Sequence, residues 1–373
     1  MLDEAPTGIK APVRPRHSEF KLSPSKINID ITDKYIPRGR YDIAQLSALH
    51  PVDDIMLYLS GNSATHALGF NMDRSNHVFC YMNGEKNFAV MDNRDIMSLT
   101  HGGGFFEINY PAPGTFSSVS SRDSGEFIKN KDVWQGKIMD FKKSPYDNGH
   151  FLVRFKNEKE YGHADKILLA DRSNKGKMIE KTLNTGWLSA VDMSINTSKY
   201  QDSNGKHKAI YAVSAESLSG DGQDQIFLFN EDGSVKEKIP QSGVKIINGS
   251  RGVFYFLTRE GELGMINTAG VGETPEQSEV KFIFNQDEAK HIRTIAYGPK
   301  DNLIVGTKEG EIIAIDGQEG KVIATNQLSL AQNEDLAEMA LTPAGKELFY
   351  ATQTIASKPG GPTYSLKSLT INS

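Results

Sequence analysis

The sequence predicts an all-β fold, a β-propeller of about seven four-stranded blades. Three observations lead there. Residues 253–270 (VFYFLTREGELGMINTAG) and 302–320 (NLIVGTKEGEIIAIDGQEG) are variants of one phrase: an apolar run, a Lys/Arg-Glu-Gly turn, a second apolar run, then a glycine. Hairpins that recur at a spacing of about 50 residues mark a repeat architecture, in which each unit buries its faces against its neighbours. The rest of the chain reads as short apolar runs without long amphipathic helices, and its 34 glycines concentrate between the runs. That pattern belongs to strands joined by tight turns.

Taken in order, residues 1–26 form an expected disordered arm. Pro6, Pro12, Pro15 and Pro24 alternate there with Lys10, Arg14, Arg16, Lys21 and Lys26, a composition that cannot bury a core. The propeller is expected to be one domain over 27–373. It opens with Ile27, Ile29 and Ile31 alternating with polar residues, the period of a half-buried strand. Ile43, Leu46 and Leu49 recur at helical spacing, which predicts a short helix or 3₁₀ turn over 42–49. Strand runs then fall into sets over 44–93, 94–132, 133–183, 186–240, 243–286, 289–328 and 334–373. Asn83-Gly84 predicts a hairpin between the runs beginning at His77 and Asn87, because type I′ turns need positive φ at both central residues. Asp232-Gly233 marks the last turn of the fourth set. The final set has three clear strands. The isolated strand at 27–33 is therefore expected to serve as its outer strand, closing the ring and covering an exposed edge.

Residues 292–326 (IRTIAYGPKDNLIVGTKEGEIIAIDGQEGKVIATN) resemble a blade of the WD40, YVTN and quinoprotein-like propeller superfamily. Residues 341–352 (LTPAGKELFYAT) are similar to the recurrent segment of YVTN-type blades. The resemblance implies the fold and leaves function open. The chain departs from true WD40 repeats in lacking a Trp-Asp dipeptide, since Gln135 follows Trp134 and Leu188 follows Trp187.

Composition narrows the function classes. A net charge of −5 and a pI near 6.0 argue against bulk binding to nucleic acid or an anionic membrane. No run approaches the roughly 18 apolar residues of a membrane helix, and the N-terminus lacks the apolar core of a secretory signal. The expected location is the cytoplasm, or outside the cell by export without a cleavable signal peptide. A lone cysteine, Cys80, excludes an internal disulfide framework. Its strand neighbours Val78, Phe79 and Tyr81 read it as a small buried hydrophobe.

The specific catalytic signatures are absent or incomplete. His101-Gly102-Gly103-Gly104 copies an esterase oxyanion motif, but no G-x-S-x-G nucleophile elbow accompanies it. The nine histidines show neither HxH nor HExxH spacing, and Asp221-Gly222-Gln223-Asp224 lacks the calcium-loop pattern. No Walker-type or dinucleotide-binding glycine motif is present. No catalytic residue, metal ligand or cofactor is therefore assigned.

Function is expected in the loops. The longest polar insertions are 111–132, 196–207, 214–224 and 268–279. The first holds the candidate binding residues Phe116, Arg122, Phe127 and Lys129, of types enriched at interface hot spots; the competing reading makes both phenylalanines blade core. The sequence reading is a non-catalytic platform that binds a protein partner through its loops or channel mouth, in a setting such as a secreted effector or an assembly factor. The alternative is a propeller lactonase or hydrolase, which requires polar side chains with displaced pKa values converging on the central channel.

Overall fold

The computed structural model describes residues 21–31, 41–49, 54–61, 65–71, 77–83, 87–90, 95–99, 105–109, 121–123, 137–144, 150–156, 165–174, 177–217, 223–268, 277–284, 292–298, 301–342, 345–354 and 363–372. Among them the chain forms seven four-stranded antiparallel sheets. The first holds β2 (Tyr41–Leu49), β3 (Asp54–Gly61), β4 (Thr65–Asn71) and β5 (His77–Asn83). The second holds β6 (Asn87–Val90), β7 (Asp95–Leu99), β8 (Phe105–Asn109) and β9 (Ser121–Asp123). The third holds β10 (Lys137–Lys143), β11 (His150–Lys156), β12 (Lys166–Asn174) and β13 (Lys177–Leu183). The fourth holds β14 (Ser189–Gln201), β15 (His207–Glu216), β16 (Gln225–Asn230) and β17 (Val235–Ile239). The fifth holds β18 (Lys245–Asn248), β19 (Val253–Leu257), β20 (Leu263–Asn267) and β21 (Glu279–Phe284). The sixth holds β22 (Ile292–Tyr297), β23 (Asn302–Thr307), β24 (Glu311–Asp316) and β25 (Val322–Gln327).

The seventh sheet joins the two ends of the chain. β26 (Glu334–Leu341), β27 (Glu347–Thr354) and β28 (Thr363–Asn372) take β1 (Lys21–Ile31) as their fourth strand. β1 runs antiparallel to β28, with Leu22 opposite Ile371 and Ile29 opposite Leu366. It starts at Lys21, so the last residues of the expected arm belong to a strand.

Neighbouring sheets meet through their first strands: β6 with β10, β10 with β14, β14 with β18, β18 with β22, β22 with β26, and β26 with β2. Behind this contact the third to seventh sheets stack face to face, because their central strands are apolar on both sides. On β15, Ala209, Tyr211, Val213 and Ala215 pack toward Leu152, Ile167 and Leu169 of the third sheet. The alternate residues Ile210 and Ala212 pack toward Ile246, Phe254 and Ile266 of the fifth. Likewise Leu303 and Val305 face the fifth sheet while Ile304 faces the seventh. A period of two with both phases apolar gives the continuous runs of the sequence.

The repeated phrase folds twice into the same hairpin. In the β19–β20 turn Thr258 Oγ1 accepts the Glu262 N–H at 3.0 Å, and in β23–β24 Thr307 Oγ1 accepts the Glu311 N–H at 3.0 Å. Gly261 and Gly310 sit at φ 88° and 86°, a conformation that favours glycine. Asp232-Gly233 closes the β16–β17 turn as expected, with the Gly233 N–H bonded to the Asn230 carbonyl at 2.8 Å.

Two expectations are corrected. Residues 41–49 are a strand, not a helix. The register shifts between Ile43 and Gln45, so Ile43 lies opposite Leu59 and Leu46 opposite Leu57. One inserted bulge residue thus turns a spacing of three into neighbours on one face, which mimics helical periodicity in the sequence. In turn, Asn83-Gly84 does not join paired strands: β5 ends the first sheet and β6 starts the second. The boundary expected between the first two sets is therefore one strand too late. Among the described residues no helix is long and apolar enough to cross a membrane.

Deleting residues 1–34 removes β1 and bares β28; the melting temperature is expected to fall by ~5 °C or more, and an unchanged value in calorimetry would show that β1 closes nothing. Gly264 tests the packing between neighbouring strands. A Cβ built there lies 2.2 Å from the buried Phe256 ring, so Gly264→Ala is expected to cost about 1–3 kcal/mol in urea unfolding.

Candidate functional site

Of the sequence-predicted binding residues, Arg122 lies in β9 with Glu107 of β8 as its register partner. Phe116, Phe127 and Lys129 lie outside the described residues, as does His101-Gly102-Gly103-Gly104. Cys80 lies in β5 opposite Gly69. Asp224 is a loop brace, its carboxylate accepting the Ser217 N–H at 3.1 Å. Among the described residues no three His, Cys, Asp or Glu side chains gather to hold a metal ion.

Polar groups do converge between the first strands. Several of these strands carry a bulge near their start, between Ile138 and Asp140, Ala190 and Asp192, Ile292 and Thr294, and Leu336 and Glu338. The residue after each bulge is polar: Asp140, Asp192, Thr294 and Glu338. Asp192 accepts the Ile246 N–H of the next sheet at 2.7 Å and lies 4.0 Å from the Lys142 ammonium. Lys245 donates to both oxygens of Glu338, at 2.9 and 3.1 Å, and to Thr294 Oγ1 at 3.2 Å. The Thr294 hydroxyl also donates to Glu338. Three consecutive sheets are thereby tied at one point.

Burial opposes ionisation of Glu338, but the Lys245 charge and the hydrogen bonds from Lys245, Thr294 and the Met339 N–H outweigh it and hold the carboxyl below its usual range. A carboxylate so held has no proton to donate near neutrality, and its lone pairs are engaged. Chemically the cluster is a clamp between sheets, with neither a poised acid nor an available base.

The proximal face, on which each sheet's first strand begins, offers a different feature. The turn from β13 to β14 presents Trp187 with 89% of its surface exposed, against 54% for Tyr200 and 43% for Val235, the next most exposed large apolar side chains described. The turn is braced on both sides of it. The Gly186 N–H donates to Asn184 Oδ1 at 2.8 Å, and the Thr185 hydroxyl donates to the Leu188 carbonyl at 2.9 Å. Gly186 has φ 70°, which reverses the chain and carries the indole outward. Ser189, two residues on, pairs in register with Glu216. Glu216 in turn receives Arg259 of the β19–β20 turn at 2.6 Å. Trp187 and the Arg259–Glu216 pair thus share one face across the fourth and fifth sheets. The sequence places Trp187 at the head of an apolar run and does not mark it as a site, since a lone tryptophan carries no periodic signal.

No protein-family model matches the chain, and no curated protein does so. Solved structures match in fold. The β-propeller domain of Cps50 (Swd1) from Myceliophteria thermophila aligns with a TM-score of 0.58 at 7% identity, over 92% of this chain and 100% of that one. The WD40 propeller domain of Doa1 aligns with a TM-score of 0.55 at 8% identity, over 94% and 97%. The fold is that of a WD40-like β-propeller.

The clamp makes a signed pH prediction. A carboxyl with a depressed folded-state pKa contributes stability that is present above its unfolded value of 4.5 and lost as pH falls through the folded one. In Lys245→Met the largest lowering influence is gone and burial remains, so Glu338 becomes easier to protonate. The variant is expected to lose about 2 kcal/mol at pH 7 and clearly less at pH 4. Equal deficits in urea unfolding at the two pH values would contradict the clamp.

Proposed function

We propose that this chain is a non-catalytic platform that binds another protein through the loops of its propeller, with Trp187 as the principal anchor. The observation that carries this reading is a tryptophan left almost wholly in water on a turn whose backbone is fixed by two side-chain hydrogen bonds. Burying an aromatic of this size removes some 150–250 Å² from water, and a braced turn loses little entropy on binding. Arg259, an interface-prone residue type on the same face, is 65% exposed despite its ion pair. The candidates Phe116, Arg122, Phe127 and Lys129 belong to the same proposal as a second loop contact.

The alternative, a lactonase or hydrolase working in the channel, draws on the convergence of Lys245, Thr294 and Glu338. Their mutual saturation favours the structural role.

Affinity capture with the intact chain and with Trp187→Ala tests the reading. The variant is expected to keep its melting temperature and to lose at least about tenfold in recovery of the captured partner. Thr185→Ala, which leaves the indole in place but unbraces its turn, is expected to weaken recovery by a smaller factor. Undiminished recovery with Trp187→Ala would remove the proximal face from consideration.

A further inference from the structure

We propose that the partner seated on Trp187 presents an arginine-rich, extended segment, whose cations stack on the indole and pair with the glutamates of the two repeated turns; this rests on the reading of Trp187 as the anchor. Both turns lie on the proximal face with Trp187: residues 258–262 join β19 to β20, and residues 307–311 join β23 to β24. The fold uses only part of the phrase they share. Thr258 and Thr307 accept the closing N–H groups, and Gly261 and Gly310 supply the reversed φ. The basic residue of each turn is committed sideways. Arg259 pairs with Glu216 of the fourth sheet at 2.6 Å, and Lys308 with Asp335 of the seventh at 3.4 Å. The glutamates have no such duty. Glu260 and Glu309 are exposed, and neither they nor Glu262 commit a carboxylate to a hydrogen bond or ion pair among the described residues.

Charge and spacing together name the occupant. Counting every charge of the two turns and of the acids their cations reach, six carboxylates (Glu216, Glu260, Glu262, Glu309, Glu311 and Asp335) face two cations, so the surface stays anionic after pairing. The opposite face has no such bias, for the hollow there is lined by Lys181, Lys206 and Lys208 as well as by Asp202, Glu231 and Asp232. The six acids are strung along the ring, and among the described residues no three gather to hold a metal ion. A partner with separated cations complements them. Trp187 selects among such partners. A cation over an aromatic face is attracted by the ring quadrupole, and tryptophan is the best platform for it. Arginine serves both contacts, since its planar guanidinium stacks on the indole and pairs with carboxylates through parallel N–H groups. The segment is extended because its contacts fall on successive sheets: Trp187 enters the fourth, Glu260 belongs to the fifth and Glu309 to the sixth. The first step between them is short, since Ser189 is the register partner of Glu216 and Glu216 receives Arg259. Nucleic acid and anionic bilayers have the wrong sign for this face.

Fluorescein-labelled peptides of alternating Arg and Ser, and of alternating Glu and Ser, are titrated against the full chain by fluorescence anisotropy. The Arg/Ser peptide is expected to bind, and to weaken as salt rises. Glu260→Gln/Glu309→Gln is expected to lower its affinity about threefold or more, and Trp187→Ala to weaken it as well, with melting temperatures unchanged. Glu319→Gln removes one carboxylate from the β24–β25 turn of the opposite face and is expected to leave the affinity as it was. Equal binding of the Glu/Ser peptide, an affinity untouched by the paired glutamine changes, or an equal loss with Glu319→Gln would overturn the proposal. The two readings fail separately. A captured partner that Trp187→Ala loses and Glu260→Gln/Glu309→Gln keeps in full overturns the arginine-rich segment and leaves the anchor standing. A partner that Trp187→Ala keeps in full removes the anchor and the stacking that rests on it.

Discussion

A sheet that is apolar on both faces must be covered on both faces, and the architecture of this protein answers that constraint. β15 shows it most plainly: seven consecutive residues are buried, with alternate ones committed to different neighbours. Such a sheet exposed on either side would leave several large side chains in water at about 1.5–3 kcal/mol each. Stacking similar units removes the problem for every sheet that has two neighbours. The chain termini meet in a single sheet for the same reason. β28 without β1 would be an unpaired edge, and the antiparallel register from Leu22↔Ile371 to Ile31↔Tyr364 supplies the missing hydrogen bonds.

Apolar stacking is non-directional, so it does not by itself fix how far each sheet slides against the next. The polar contacts between first strands do. Asp192 reaches the Ile246 N–H, and Asn196 donates to the Ser250 and Val253 carbonyls at 2.9 and 2.6 Å, both across the boundary between the fourth and fifth sheets. Lys245, Thr294 and Glu338 do the same for the next two boundaries. The bulges give this arrangement its geometry. An inserted residue rotates the next side chain out of the alternation that feeds the stacked cores, which lets a carboxylate or hydroxyl sit at the seam without displacing an apolar contact. The buried Asp192, Asn196 and Thr294 are tolerable here because each is hydrogen-bonded.

What the sequence disclosed, and what it hid, follows from the range over which each signal acts. The Thr-Lys/Arg-Glu-Gly-Glu turns are local: the hydroxyl, the glycine and the bonded N–H lie within five residues, and the hairpins were legible at once. The bulge at Ile43–Gln45 is local too, but it shifts the apolar period from two to three, and a spacing rule reads three as helix. That misreading pushed Asn87–Val90 into the wrong sheet. The hollow at the end of the β14–β15 hairpin is not local. Its walls come from residues near 169 and 181, from 198–210 and from 230–236, none of which suggests a site alone. Trp187 is hidden for the opposite reason. Exposure is the absence of partners, and no pattern of neighbouring residues encodes it.

The division of labour between core and loops leaves the two faces free to differ. The stacked sheets are insensitive to what the turns carry, provided the glycines at reversed φ are kept. Each face is then free to specialise. On the proximal face, a rigid turn offers one large aromatic beside an ion pair, a surface suited to insertion into a partner's pocket. On the opposite face, the elongated β14–β15 hairpin and the β16–β17 turn enclose a hollow lined by both lysines and carboxylates. Sheets held in register keep the turns they carry at fixed separation. That register is supplied by the seam contacts of Asp192, Lys245 and Glu338.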